Sequence, residues 1–250
     1  MHLMLLSQTQ RQNMRKPATD HKWLCIELPV TEYKEAWQLQ SNLVAATPHK
    51  TPHKNVVLIL EHLPVFTLGR RGGLNNLRVS ESFLEKAVIP VIQVERGGNI
   101  TFHGPGQLVV YPVIHLQTAR LSVVHYVENL EEVMIRTAAD WGITAVRNPI
   151  NRGVWVGNKK LGSIGIAIRR GICFHGMALN VNTSLEPFQW ISPCGLENTG
   201  MTSMEVERCD TVSMKQVRKR VKHHLEAVFD VTLIMTRLEK LKIDESRSCT

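Results

Sequence analysis

Apolar positions fall into short β-branched runs punctuated by glycine, proline and charge, with two longer stretches spaced for helices. Trp23 to Pro29 reads as a first strand, and Tyr33 to Ala46 as a helix carrying Ala36, Leu39, Leu43 and Val44 on one face. The apolar run in Asn55 to Gly69, with Phe66 and Leu68 after it, predicts a buried strand and a turn, and Val88 to Val94 predicts another strand closed by Glu95. Leu108 to Ile114 is a strand pattern broken by Pro112, which predicts a sheet edge or a bulge there. Ser122 to Trp141 is the clearest helix: Ser122 can cap it, Val123, Val127, Leu130, Met134 and Ala138 form one stripe, and Gly142 stands at the C-terminal cap. Residues 154–156, 162–168 and 172–181 have the texture of a strand meander. Ser213 followed by Gln216 predicts a capping box on a last helix that turns Met214, Val217, Val221, Leu225 and Val228 inward. Clustered strands with a few helices predict an α+β fold.

No linker interrupts the 250 residues, so one large domain over 22–235 is expected, with an N-terminal extension at 1–21 and a polar tail at 236–250. A loop, TPHKTPHK, covers 47–54. With 43% hydrophobic and 21% charged residues, the composition excludes disordered and fibrous classes. The longest aliphatic run, Val56 to Leu60, is far too short to cross a membrane. The five scattered cysteines argue for a reducing compartment rather than a disulfide framework. The N-terminus is weakly basic and lacks a secretory pattern, so a bacterial cytoplasm is expected, with the mitochondrial matrix as the alternative. A net charge of +8 admits nucleic acid, anionic lipid or an acidic protein as partner without choosing among them.

Chemistry concentrates in three places. Arg96-Gly97-Gly98-Asn99-Ile100-Thr101-Phe102-His103-Gly-Pro-Gly-Gln107 packs four glycines between two strands, which predicts a binding loop floored by main chain and walled by Arg96 and His103. Neither a P-loop nor a dinucleotide fingerprint is present. Cys194 lies between Pro193 and Gly195, the loop setting of a presented nucleophile, whereas Cys25 and Cys173 fall in apolar strands. A free thiol near pKa ~8.5 needs a neighbouring cation, and Lys160, His103 and His175 are the candidates. For the Lys159-Lys160 pair, strand alternation points one side chain to each face. A zinc site from His103, His175 and Cys194 has no metal-ligand spacing behind it. The basic stretch Lys215, Arg218, Lys219, Arg220, Lys222 with His223 and His224 reads as a solvated helix face. It has no interleaved aromatics, so no specific nucleic acid is expected.

Taken together, Arg96-Gly-Gly-x-x-Thr-Phe-His103-Gly-Pro-Gly-Gln, Lys160-x-x-x-Ile-Gly-Ile, His175-Gly-Met-Ala-Leu-Asn180 and Ile191-x-Pro-Cys194-Gly195 resemble, in order and spacing, the lipoyl(octanoyl) transferases. The resemblance implies a mixed-sheet fold like the catalytic domain of biotin and lipoate protein ligases. It implies an acyltransferase of lipoate biosynthesis that uses no cofactor. Octanoyl-acyl carrier protein would be the donor, and lipoyl domains of 2-oxoacid dehydrogenases and the glycine cleavage H protein the acceptors. By the same resemblance Cys194 is the nucleophile and Lys160 its activator. The substrate-lining segments become Arg96 to His103, Ser163-Ile164-Gly165 and Gly176-Met177-Ala178, with a supporting role for His175. Phe102 replaces the family's usual tyrosine. Burying an octanoyl chain at about 0.8 kcal/mol per methylene gives a gross gain of roughly 5–6 kcal/mol. The rival readings are an ATP-dependent lipoate or biotin ligase, which needs no Cys194, and a basic nucleic-acid-binding protein.

Overall fold

The computed structural model describes residues 22–46, 54–149, 151–192 and 200–241. The expected extension at 1–21, the loop as far as residue 53, most of the polar tail, and Cys194 lie outside the described residues. The chain begins β1 (Lys22–Thr31), α1 (Tyr33–Ala45), β2 (Val56–His62), β3 (Val65–Leu68), α2 (Glu81–Lys86), β4 (Val91–Gln93), β5 (Ile100–His103) and β6 (Gln107–His115). It continues with α3 (Val123–Ala139), β7 (Val146–Arg147), β8 (Gly153–Val156), β9 (Lys159–Arg169) and β10 (Ile172–Asn180). The last elements are β11 (Gly200–Met201), α4 (Met204–Arg208), α5 (Met214–Phe229) and β12 (Thr232–Met235).

The large sheet runs β12-β1-β2-β6-β10-β9-β8-β7, and β11 adds to the start of β9. It is mixed: β1 is parallel to β2 and β12, while β2, β6, β10, β9, β8 and β7 pair antiparallel in turn. Strand alternation divides its side chains between two apolar layers. On one face Val57, Ile59, Val110 and Cys173 pack with Tyr126, Leu130 and Met134 of α3 and Val217, Val221 and Leu225 of α5. On the other, Leu58, Leu60, Val109 and Phe174 meet Ala36, Leu43 and Val44 of α1. A small sheet, β4-β3-β5, carries its own core of Phe66, Leu68, Ile100, Phe102 and Phe188.

Several sequence expectations are corrected. Pro112 is in a central strand, not at an edge. Cys173 pairs with Ile114 and Met177 with Val110, but the assigned β6–β10 partners skip the three residues between, which include Pro112. Opposite the missing N–H, His175 adopts φ +57 and donates its backbone N–H to Gln40 Oε1 of α1 at 2.7 Å. The ladder is interrupted, as at a bulge, and the orphaned donor is satisfied from another element. Val88 is not in a strand: its φ is +54, it is 82% exposed, and β4 starts at Val91. Ser122 does cap α3 by accepting from His125 N–H, but Val123 is exposed, and Tyr126 and Val133 complete the buried stripe. Ser213 makes no side-chain cap on α5, so the capping box is absent. The inward face of α5 is otherwise as expected, with Met214 and Val228 half-buried at its margins.

Candidate active site

Antiparallel pairing of the consecutive strands β9 and β10 sets Ser163 opposite Ala178 and Gly165 opposite Gly176, so the two segments become one floor. The glycine at 176 is obligatory, because a Cβ there would come within 2.2 Å of the Val110 carbonyl oxygen. The segment 96–103 runs back along this floor: Gly97 N–H donates to Ile166 O at 2.8 Å, and β5 is held above by β3. Between them lies a cavity of about 570 Å³ lined by Arg96 to Thr101, His103, Lys160, Ser163 to Ile166 and His175 to Ala178. Of the described residues expected at the site, Phe102 alone does not line it. Its ring packs instead in the small-sheet core against Phe66 and Phe188 at 5.3 and 5.6 Å between centroids, so its missing hydroxyl leaves the cavity unchanged.

Arg96 is buried and braces the loop rather than pointing outward. Its guanidinium donates to Thr67 O at 2.7 Å, Thr67 Oγ1 at 2.8 Å and Gly97 O at 3.0 Å. His103 is oriented by a relay whose polarity the backbone fixes. Asn180 Nδ2 donates to Thr202 O, and Gln107 Nε2 donates to Phe102 O and Asn180 Oδ1, so Gln107 Oε1 must face His103. His103 Nδ1, 2.7 Å from that oxygen, therefore carries the proton and Nε2 is the bare acceptor. Burial, reinforced by the nearby His62, holds this imidazole well below its usual pKa, so it is neutral.

Lys160 is half-buried while Lys159 is exposed, as alternation requires. Its Nζ donates to Asn151 Oδ1 at 2.6 Å and lies 5.3 Å from the Trp155 ring centroid. The carbonyl of Lys160 accepts from Thr202 N–H at 2.9 Å, which joins the lysine strand to the Asn180 relay. Ile191 and Gly200 both line the cavity, and Ser192 N–H is tied to Asn76 O at 2.8 Å. The residues between Ser192 and Gly200, Cys194 among them, are outside the described set.

His175 lies at the other end of the cavity, 1% exposed, with neither ring nitrogen hydrogen-bonded among the described residues. Its Nε2 is 3.6 Å from Glu95 Oε2, longer than a hydrogen bond, and that oxygen accepts from Trp37 Nε1 at 2.9 Å. Burial lowers the pKa of His175 against the pull of Glu95. The two strand cysteines are inert by environment: burial pushes both Cys25 and Cys173 to about 12. Among the described residues no group of three His, Cys, Asp or Glu is placed to hold a metal.

Sequence reasoning missed Tyr33, Arg71, Tyr111, Asn151 and Trp155, all of which line the cavity. No local motif marks them, since each arrives from a different element. The basic helix is also less free than its composition suggests. Arg218 pairs with Glu61 at 3.2 Å, Arg220 and His224 share Asp140, and Lys222 contacts Glu27, which leaves Lys215 and Lys219 as its exposed lysines. No helix among the described residues is long and apolar enough to cross a membrane.

Comparison with known proteins places this geometry. The family model of the lipoyl protein ligase A/B catalytic domain matches residues 32–226. The chain is 44% identical to an octanoyltransferase of Desulfotalea psychrophila, over 87% of this chain and 98% of the relative. It is 42% identical to an octanoyltransferase of Caldicellulosiruptor bescii, over 87% and 97%. The structure is similar to that of a lipoate-protein ligase A bound with ATP, with a TM-score of 0.71 at 15% identity over 88% of this chain and 90% of that one, a likeness of fold. A lipoate protein ligase from Thermoplasma acidophilum, studied with its E2 lipoyl domain, gives 0.68 at 14% identity over 87% and 88%. This chain therefore belongs to the octanoyltransferases, acyltransferases of lipoate biosynthesis built on the lipoyl protein ligase A/B catalytic domain.

Proposed function

We propose that residues 22–235 form a single catalytic domain that takes an octanoyl group from acyl carrier protein onto Cys194 and passes it to a specific lysine of lipoyl domains, in the bacterial cytoplasm. The observation that supports this reading is the position of the Lys160 ammonium, held by Asn151 and Trp155 at one end of a glycine-floored cavity. Cys194 follows the cavity residue Ile191 by three positions, so covalent reach alone limits it to roughly 10 Å from that Cα.

In the first half-reaction the Cys194 thiolate, stabilised by Lys160, attacks the donor thioester carbonyl. The carrier sulfur leaves and takes a proton from Lys160. Thioester exchange is nearly isoenergetic, and the neutral Lys160 amine then accepts a proton from the acceptor lysine's ammonium. The freed amine attacks the acyl-enzyme, the amide forms with loss of a proton to water, and Cys194 departs as thiolate beside a restored ammonium. Arg96 to His103, Ser163 to Gly165 and Gly176 to Ala178 hold the chain, with Phe102 contributing through the small-sheet core.

Intact-protein mass after incubation with octanoyl-loaded carrier tests this. A hydroxylamine-labile gain of one octanoyl group, absent in Cys194→Ser, is expected. No adduct, combined with ATP-dependent labelling of a lipoyl domain by free octanoate, would make the protein a ligase.

A further inference from the structure

The cavity is a slot whose length is set by strand geometry. From Lys160 to Ile166 along β9 is six residues, or about 20 Å at ~3.3 Å per residue. A fully extended octanoyl chain, at ~1.25 Å per carbon–carbon bond along its zigzag, covers roughly 9 Å. The Lys160 side chain leans along the strand, its Cε 2.8 Å from where a Cβ on Gly153 would lie, and Gly153 is paired with Ser163, so about 10 Å of the run remains beyond its tip and a chain whose carbonyl starts there has its methyl end at the Gly165–Gly176 pair. One rung further, the slot closes. Gly97 touches down on Ile166 O, Arg96 is fixed to Thr67, and a Cβ on Gly165 would meet Arg96 Cδ at 2.8 Å. His175 and Tyr111 line the remaining side of this end, the Tyr111 ring edge-on to the imidazole at 6.1 Å.

His175 is held there against its own preferences. A histidine at φ +57 inside a strand is strained, and the strain persists because Gln40, fully buried, accepts its N–H where the β6–β10 ladder is interrupted. Phe174 stacks on the ring at 5.0 Å, and Glu95, anchored by Trp37, stands behind it. The result is a buried imidazole lining the cavity, with Nε2 3.6 Å from Glu95 Oε2.

We propose that His175 is the end wall of the acyl slot and determines the chain length the enzyme accepts. This rests on the reading of the cavity as the octanoyl site. Eight carbons stop at the glycine pair, whereas further methylenes must press on an imidazole whose backbone N–H is held by Gln40 and whose ring is stacked on Phe174. The specificity-determining contact is with the methyl end, remote from the reacting carbonyl.

The test compares octanoyl-, decanoyl- and dodecanoyl-loaded carrier with the wild type and with His175→Gly and His175→Asn, two residues that tolerate the left-handed backbone. The wild type should lose at least tenfold in kcat/KM between eight and twelve carbons. His175→Gly should recover most of that loss, with His175→Asn intermediate. A wild type that transfers dodecanoyl as fast as octanoyl overturns the proposal with no variant needed, and so does a folded His175→Gly with an unchanged profile. If the wild type transfers no acyl group from the carrier, the functional reading fails instead. The wall is then tested by thermal protection with free acids: octanoate should raise the wild-type Tm more than dodecanoate, and equal shifts would refute it.

Discussion

Three histidines that line or brace the slot, His62, His103 and His175, are held neutral by burial, and this makes acid destabilisation a direct test of the site's electrostatics. His62 is the best defined. Its Nδ1–H donates to Thr31 O at 2.9 Å, its Nε2 accepts from Tyr111 Oη at 2.8 Å, and burial lowers its pKa to about 4. In the unfolded chain it titrates near ~6.5, so between these values the unfolded state binds a proton that the native state refuses, and stability falls as pH falls. Integrating the linkage relation from pH 8 to pH 5 gives a loss of about 2 kcal/mol from His62 alone. His103 and His175 shift in the same direction and steepen the loss. Urea unfolding followed by tryptophan fluorescence at pH 8, 6.5 and 5 measures it. His62→Gln can keep both hydrogen bonds but does not titrate, so its loss over this range should shrink by about 2 kcal/mol. Wild-type stability that is flat from pH 8 to 5, or a His62→Gln protein that loses as much as the wild type, would refute the assignment of buried neutral histidines.

Other consequences are equally checkable. Asn151→Ala removes the 2.6 Å anchor of Lys160 and should lower kcat on the order of tenfold with little change in Tm, read by single-turnover octanoyl transfer. Gly176→Ala forces a Cβ into the Val110 carbonyl and should destabilise the fold by about 2 kcal/mol or more in chemical denaturation. Asn180→Leu removes the donor to Thr202 O and one of the two acceptors of Gln107 Nε2, which keeps Phe102 O, a loss of about 2 kcal/mol measurable by the same method. Because Lys222 contacts Glu27 whereas Lys219 is exposed, Lys219→Glu should raise the donor KM several-fold at low salt; no change would remove α5 from carrier docking.

Local signals were enough for much of this protein. Period-two runs located β1, β2, β6, β9 and β10, because each buries alternating or continuous apolar residues against a layer. Period 3.6 located α1, α3 and α5 for the same reason, and the glycine density of 96–107 marked a loop that backbone must approach. Strand alternation limited the Lys159-Lys160 pair to one inward side chain, and the family resemblance singled out Lys160. What the chain alone did not determine is everything that depends on register. Pro112 read as an edge or a bulge because its missing donor is a local fact, while the φ of His175 and its Gln40 partner, which decide for the bulge, lie 63 and 72 residues away in sequence. Phe102 looked like a pocket residue because it lies inside a binding motif, yet the β3–β5 pairing turns it into a core. The short strands β7, β11 and β12 carry too few residues for a period and exist because a neighbour's backbone offers the hydrogen bonds. The depth of the cavity, proposed as the acyl slot, is of this second kind. It is fixed by how many rungs separate Lys160 from the point where Gly97 meets Ile166, a distance that only the paired sheet defines.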